Sequence, residues 1–165
     1  KHTDYEGGIR VPFLICWSSQ LKPGEWQSPV TSLDILPTAL AAAKVEAAMP
    51  LDGINLLPLL KSETAPQSRD LFWCSGSDEG WWAVRSGDWK LVGEKDKLSL
   101  FDLAKDVSEA NDLAAKMPEK VAELTKLHDA WLAEIAKPVK AGEKRYDMAA
   151  KTDEKPKKKK KKVKE

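Results

Sequence analysis

Trp81-Trp82-Ala83-Val84-Arg85-Ser86-Gly87-Asp88-Trp89-Lys90-Leu91-Val92 consists of two runs of aromatic and aliphatic residues joined by a turn signal. The pattern reads as an antiparallel hairpin: Gly and Asp suit the tight turn, and bulky side chains suit the pleated strands on either side. Working outward, Leu71-Phe72-Trp73 reads as a strand before the hairpin and Leu98-Ser99-Leu100-Phe101 as one after it. Four short strands predict a small antiparallel sheet. Pro118 is well placed to start a helix, and Val121, Leu124, Leu127, Trp131, Leu132 and Ile135 recur at mostly three- and four-residue steps up to Pro138. That spacing gives one apolar stripe, suited to lying on the sheet.

Upstream the texture differs. Gly7-Gly8 supplies a turn, and Ile9 to Trp17 follows as an almost unbroken apolar run. It reads as a strand buried on both faces, although periodicity alone leaves a short helix open. Pro23-Gly24 marks a turn, and Asp34 is placed to cap a helix from Ile35 to Ala43, with Pro37 tolerated in the first turn. Asp52-Gly53 signals another turn before Ile54, Leu56, Leu57, Leu59 and Leu60, which should cover a core edge. The expected organisation is an α/β end of a larger sheet domain over 1–66, an antiparallel sheet with one helix over 67–137, and a disordered lysine-rich tail over 138–165.

The formal charge of +1 hides a division. Residues 151–165 hold nine lysines against three acids, a tail of +6; the other 18 basic and 23 acidic residues leave the body at −5. Such a like-charge block reads first as a solvated tail, and second as a contact for anionic polymers. An acidic body without a basic stripe argues against a nucleic-acid partner. No stretch approaches the roughly 20 apolar residues of a membrane span. Cys16 and Cys74 lack CxxC or histidine spacing and are expected as buried thiols, with their pairing left open.

Several strings, in order, resemble the formylglycine-dependent sulfatases of the alkaline-phosphatase-like superfamily. Lys1-His2-Thr3-Asp4-Tyr5-Glu6-Gly7-Gly8-Ile9-Arg10-Val11-Pro12 is similar to that family's Lys-x-x-x-Tyr-Glu-Gly-Gly-x-Arg-Val-Pro segment. Asp34-Ile35-Leu36-Pro37-Thr38 resembles its Asp-x-x-Pro-Thr helix start, and Asp52-Gly53-Ile54-Asn55-Leu56-Leu57-Pro58-Leu59 its Asp-Gly-x-x-Leu-x-Pro-Leu stretch. Val84-Arg85-Ser86-Gly87-Asp88-Trp89-Lys90 resembles its Val-Arg-x-Gly-x-Trp-Lys hairpin, Leu100-Phe101-Asp102-Leu103 its Leu-Tyr-Asp-Leu strand, and Asp106 to Ala114 its Asp-Pro-x-Glu-x-x-Asn-Leu-Ala loop. Trp17-Ser18-Ser19 departs from the usual Trp-Pro-Gly, Val107 from Pro and Asp112 from Asn.

The resemblance implies hydrolysis of a sulfate monoester to an alcohol or phenol plus sulfate, by a hydrated formylglycine beside a calcium ion. Neither Cys16-Trp17-Ser18 nor Cys74-Ser75-Gly76 has the Cys/Ser-x-Pro-x-Arg pattern from which that nucleophile is made. The family's metal ligands belong upstream of these motifs. Because the chain opens at Lys1 without methionine and runs straight into a motif, its start is read as a truncation, and the piece is expected to be inactive. Lys1 matches the lysine that contacts the sulfate group, where a compact cation would bind non-bridging oxygens and offset charge on the leaving oxygen. His2 is the second substrate-binding candidate, with plain loop exposure as its other reading. The implied partner is a sulfated small molecule or glycan, and the family implies a periplasmic or secreted setting.

Other residues carry plainer expectations. His128 belongs on the flank of the helix stripe. Trp81 and Trp82 offer faces that suit a sugar ring, yet neighbours in a strand point to opposite sides, so one of them belongs to the core. Glu6 and Arg10 are expected to pair and fix the loop that presents Lys1. The competing class is a non-catalytic module, holding glycan on the tryptophan-rich hairpin and polyanion on the tail. It requires residues 1–136 to fold alone, whereas the enzyme reading expects exposed apolar surface along Ile9 to Trp17.

Overall fold

The computed structural model describes residues 3–61, 68–74 and 80–135. Helix α1 spans Glu6–Ile9, a 3-10 turn covers Ser32–Asp34, α2 spans Ile35–Ala43 and α3 spans Leu57–Leu60. Strands β1 (Asp70–Cys74), β2 (Trp81–Ser86), β3 (Trp89–Glu94) and β4 (Lys97–Asp102) follow, and then α4 (Pro118–Glu134). The strands pair in sequence order as an antiparallel meander. The β2–β3 register places Val84 opposite Leu91 and Arg85 opposite Lys90, closing at Ser86 opposite Trp89. Gly87 takes φ 59° at that turn, a left-handed conformation glycine adopts without a steric penalty.

Alternation divides the sheet into two faces, both covered. On one, Val84, Leu91 and Leu100 are fully buried against Leu124 of α4, with Phe72, Trp82, Trp89 and Val121 around them. Helix α4 lies over β2 and β3, as its stripe requires. Trp82 stacks on His128 with ring centroids 3.9 Å apart, and Phe72 stacks on Trp131 at 5.0 Å. Trp82 lies so close over Gly93 that a β-carbon there would overlap its indole. The opposite face buries Ala83, Val92, Phe101 and Leu103, with Tyr5 and Trp73 packed on them. Tyr5 meets Phe101 edge-on at 5.9 Å, so the N-terminal loop is part of this second core.

Four expectations are corrected. No strand forms along Ile9 to Trp17: Ile9 ends α1, and Val11, Phe13, Leu14 and Ile15 are exposed, Leu14 at 93%. A strand needs a partner ladder, and no described segment pairs with this one. Cys16 and Cys74 are exposed free thiols, Cys16 because its run is uncovered and Cys74 because it ends edge strand β1. Leu132, placed in the α4 stripe, is 43% exposed near the helix end. His128 is buried beneath Trp82, not on a flank. The boundary at 66 and the whole of the tail over 138–165 lie outside the described residues.

Candidate functional site

Lys1 and His2, the residues that sequence points to, lie outside the described residues. The loop that follows them is described from Thr3 onward and is folded tightly on itself. Gly8 and Ile9 N–H groups both donate to the Tyr5 carbonyl at 2.8 and 3.1 Å. Gly8 approaches the Thr3 carbonyl so closely that any side chain there would collide with it.

Beneath this loop is a buried ionic cluster. Lys90, the second residue of β3 and fully buried, donates to Glu6 Oε1 at 2.9 Å and stands 2.8 Å from Glu109 Oε1. The Glu6 N–H donates to Glu109 Oε2 at 2.6 Å, so the loop is held by main chain as well as side chain. Arg85, directly across the ladder from Lys90, approaches Glu6 Oε2 at 4.0 Å. Two cations opposite each other in a sheet repel, and the carboxylates between them convert that repulsion into attraction. The expected Glu6–Arg10 pair is present but long, 3.9 Å with Arg10 largely exposed; the short contact of Glu6 is with Lys90. Asp4 lies at the margin, where burial pushes its carboxyl above the usual range against the pull of Lys90. Burial also raises the Tyr5 phenol, and the neighbouring Glu94 carboxylate adds to the effect.

Glu109 reaches the cluster from an unusual backbone. Its φ of 56° is left-handed, which costs a non-glycine residue on the order of 1 kcal/mol. Asp106 holds that turn by accepting from the Ala110 and Asn111 N–H groups and from the Ser108 hydroxyl. Those bonds, the one from Asn111 N–H foremost, keep its carboxyl below the usual range. Asp112 accepts from Leu100 and Ala114 N–H groups, bonds an asparagine oxygen would also accept, so this departure from the family pattern leaves the loop intact.

A second buried carboxylate ties the α2 region to the sheet. Asp34 accepts two hydrogen bonds from Arg69, at 2.7 and 2.5 Å, together with the N–H groups of Thr31 and Ile54. Burial would raise this carboxyl, yet the Arg69 bonds and the two N–H bonds outweigh it and hold the group below its ordinary value. The expected capping of α2 by Asp34 is not seen: its side chain makes no bond to the first turn of α2, and it instead accepts from the Thr31 N–H at the start of the preceding 3-10 turn, because Arg69 and the Ile54 N–H claim the rest of the carboxylate.

Of the residues in these knots, sequence reading singled out Glu6 and Asp34 and missed Lys90, Glu109, Arg85 and Arg69 as their partners. One signal was available: a two-residue turn at Gly87-Asp88 forces Arg85 opposite Lys90, and two facing cations call for buried anions. Among the described residues no three His, Cys, Asp or Glu side chains converge as a metal site. An open depression beside Trp89 includes Asp102 and Asp106, both already committed to Lys105 and to loop N–H groups. No helix among the described residues is long and apolar enough to cross a membrane.

The motifs that converge on Lys90 are those a known family shares. The family described as N-sulphoglucosamine sulphohydrolase, C-terminal, matches residues 1–137. The chain belongs to the sulfatase family. Arylsulfatase A of Homo sapiens is 42% identical over 95 residues, covering 54% of this chain and 18% of that protein. Arylsulfatase K of Xenopus laevis is 32% identical over 142 residues, covering 76% of this chain and 26% of that protein. A Bacteroides thetaiotaomicron protein described with the metabolism of multiple glycosaminoglycans superposes with a TM-score of 0.71 at 24% identity, over 81% of this chain and 31% of that one. The fold is therefore that of the C-terminal part of alkaline-phosphatase-like sulfatases. This sulfatase chain spans about a quarter or less of the length of these two curated relatives.

Proposed function

We propose that the chain forms the C-terminal part of an enzyme that hydrolyses a sulfate monoester to an alcohol or phenol and sulfate, and that by itself it is inactive. The observation that supports this reading most is the anchoring of the Tyr5-Glu6-Gly7-Gly8 loop on the buried Lys90 cluster. The loop continues a motif whose first residue, Lys1, is the sulfate-contacting position by resemblance. In this proposal the Lys1 ammonium binds the non-bridging oxygens of the ester and offsets negative charge on the leaving oxygen, and His2 lines the pocket beside it. A substrate of this class is a sulfated small molecule or a sulfated glycan.

Calcium and a formylglycine nucleophile belong to the proposal as groups held by sequence outside residues 1–165. The described residues offer no donor cluster, and neither cysteine sits in a Cys/Ser-x-Pro-x-Arg pattern. No chemical step is therefore assigned to either group in this chain. The exposed run at Val11, Phe13, Leu14 and Ile15 favours this reading over a self-sufficient binding module, which would be expected to cover such residues. Sequencing the gene upstream of the Lys1 codon tests the proposal. A Cys/Ser-x-Pro-x-Arg motif with a cluster of acidic residues is the expected finding. A start codon directly before Lys1, or an upstream region lacking both features, would overturn it.

A further inference from the structure

We propose that Lys90 is a positioning residue for sulfate-ester hydrolysis: from inside the sheet it fixes the loop that carries the Lys1 ammonium to the substrate. The inference rests on the sulfatase reading and adds a residue that does no chemistry itself, since Lys90 is sealed from solvent.

A fully buried lysine is unfavourable unless its charge is matched by fixed partners. Here both partners come from outside the sheet: Glu6 from the start of α1, in the segment after Lys1, and Glu109 from the strained turn after β4. Lys90 therefore joins β3 to both of these segments through charge. The clamp acts on backbone position, because the Glu6 N–H is itself bound to Glu109. From Glu6 the constraint passes along a rigid piece of chain, with Tyr5 wedged on Phe101 and Thr3 pressed against Gly8. Lys1 stands two residues before Thr3 in sequence, so in this proposal the anchored stretch from Thr3 to Glu6 is the base from which the Lys1 ammonium is presented. Without the Lys90 charge, Glu6 and Glu109 would face each other as like charges, with Asp4 nearby and only Arg85, 4.0 Å from Glu6, to offset them. The loop would then lift from the sheet, and a displacement of about 1 Å at a catalytic group is enough to lower turnover about 100-fold.

The test uses the complete protein encoded by the gene, assayed for sulfate release from an aryl sulfate, with Lys90→Met, Lys90→Arg, Lys1→Ala and the Lys1→Ala/Lys90→Met double variant. Lys90→Met should lower kcat/KM about 100-fold while circular dichroism stays that of the parent, and Lys90→Arg should recover part of the loss. If Lys90 acts through Lys1, the double variant should be no worse than Lys1→Ala, because the two losses are one loss. A purely structural lysine would instead give losses that multiply. Where Lys90→Met fails to fold, Glu109→Gln, which keeps the Lys90–Glu6 pair, carries the same double-variant comparison. An active parent with Lys90→Met within twofold of it, or with multiplying losses, overturns the positioning role and leaves the sulfatase reading standing. An inactive parent overturns the sulfatase reading and this inference together.

Discussion

Asp34 shows how much a single buried carboxylate organises. Its four hydrogen bonds join the 3-10 turn, the Asp52-Gly53 turn and Arg69 just ahead of β1. Arg69→Met leaves that carboxylate buried and uncompensated, and should lower unfolding stability by about 3 kcal/mol in a denaturant titration. Arg69→Lys should lose most of the same amount, since an ammonium cannot reproduce the forked pair. The sign of the pH dependence follows from the depressed folded pKa. The Asp34 contribution is complete above its ordinary value of 3.8 and is lost as pH falls below it through the folded value. Asp34→Asn should therefore lose less stability than the parent as pH falls below that ordinary value. Asp4 acts in the opposite sense, because its raised carboxyl relieves a cost as it takes up a proton. At this scale the sequence disclosed which residues carry chemistry but not whom they meet. Asp34 stood out because it precedes a helix, although its side chain caps the 3-10 turn side and not α2, whereas Arg69 lies 35 positions away and Lys90 lies 84 from Glu6. Burial of His128 was missed for a different reason: it stands four residues after Leu124 and three before Trp131, the spacing of the stripe itself, but its polarity argued for the flank, and the Trp82 face that covers it comes from another element.

Among the elements, the sheet and α4 were readable because each depends on nearby residues. The turn at Gly87 fixes the β2–β3 register, and the stripe through Val121, Leu124 and Leu127 fixes the face that α4 presents. Leu124 is the fully buried residue of that stripe, so Leu124→Ala should cost about 3 kcal/mol, read as a lower guanidinium midpoint with an unchanged slope. Leu132→Ala, at an exposed position, should change stability by no more than about 0.5 kcal/mol. The apolar run at Ile9 to Trp17 marks the limit of such reading. Hydrophobicity states that a segment belongs against something, but strand or coil is decided by whether another backbone supplies the ladder, and no described segment does. The exposure of Cys16 and Cys74 follows from the same dependence on neighbours.

Over the whole molecule, two regions differ in how completely they are covered. The sheet is packed on both faces, whereas Val11, Leu14, Leu33, Ile35, Leu36 and Met49 all stand more than half exposed. Residues 1–165 alone should therefore bind anilinonaphthalene sulfonate strongly, and Val11→Ser with Leu14→Ser should reduce the fluorescence gain by about half, on the view that exposed apolar surface sets dye uptake. Unchanged fluorescence in the double variant would place the uncovered surface elsewhere. The family, and with it the fold, were legible because the motifs are short, ordered and local. In the proposed function, the activity depends on residues beyond them. Its most direct test is sulfate release from an aryl sulfate and from a sulfated glycosaminoglycan, comparing the gene-encoded protein, its Lys1→Ala variant and residues 1–165 alone. The account predicts release by the first, a loss on the order of 100-fold or more in the second through removal of one charge-stabilising group, and none by the third. Release by residues 1–165 at the rate of the gene-encoded protein, or full activity without the Lys1 ammonium, would contradict it.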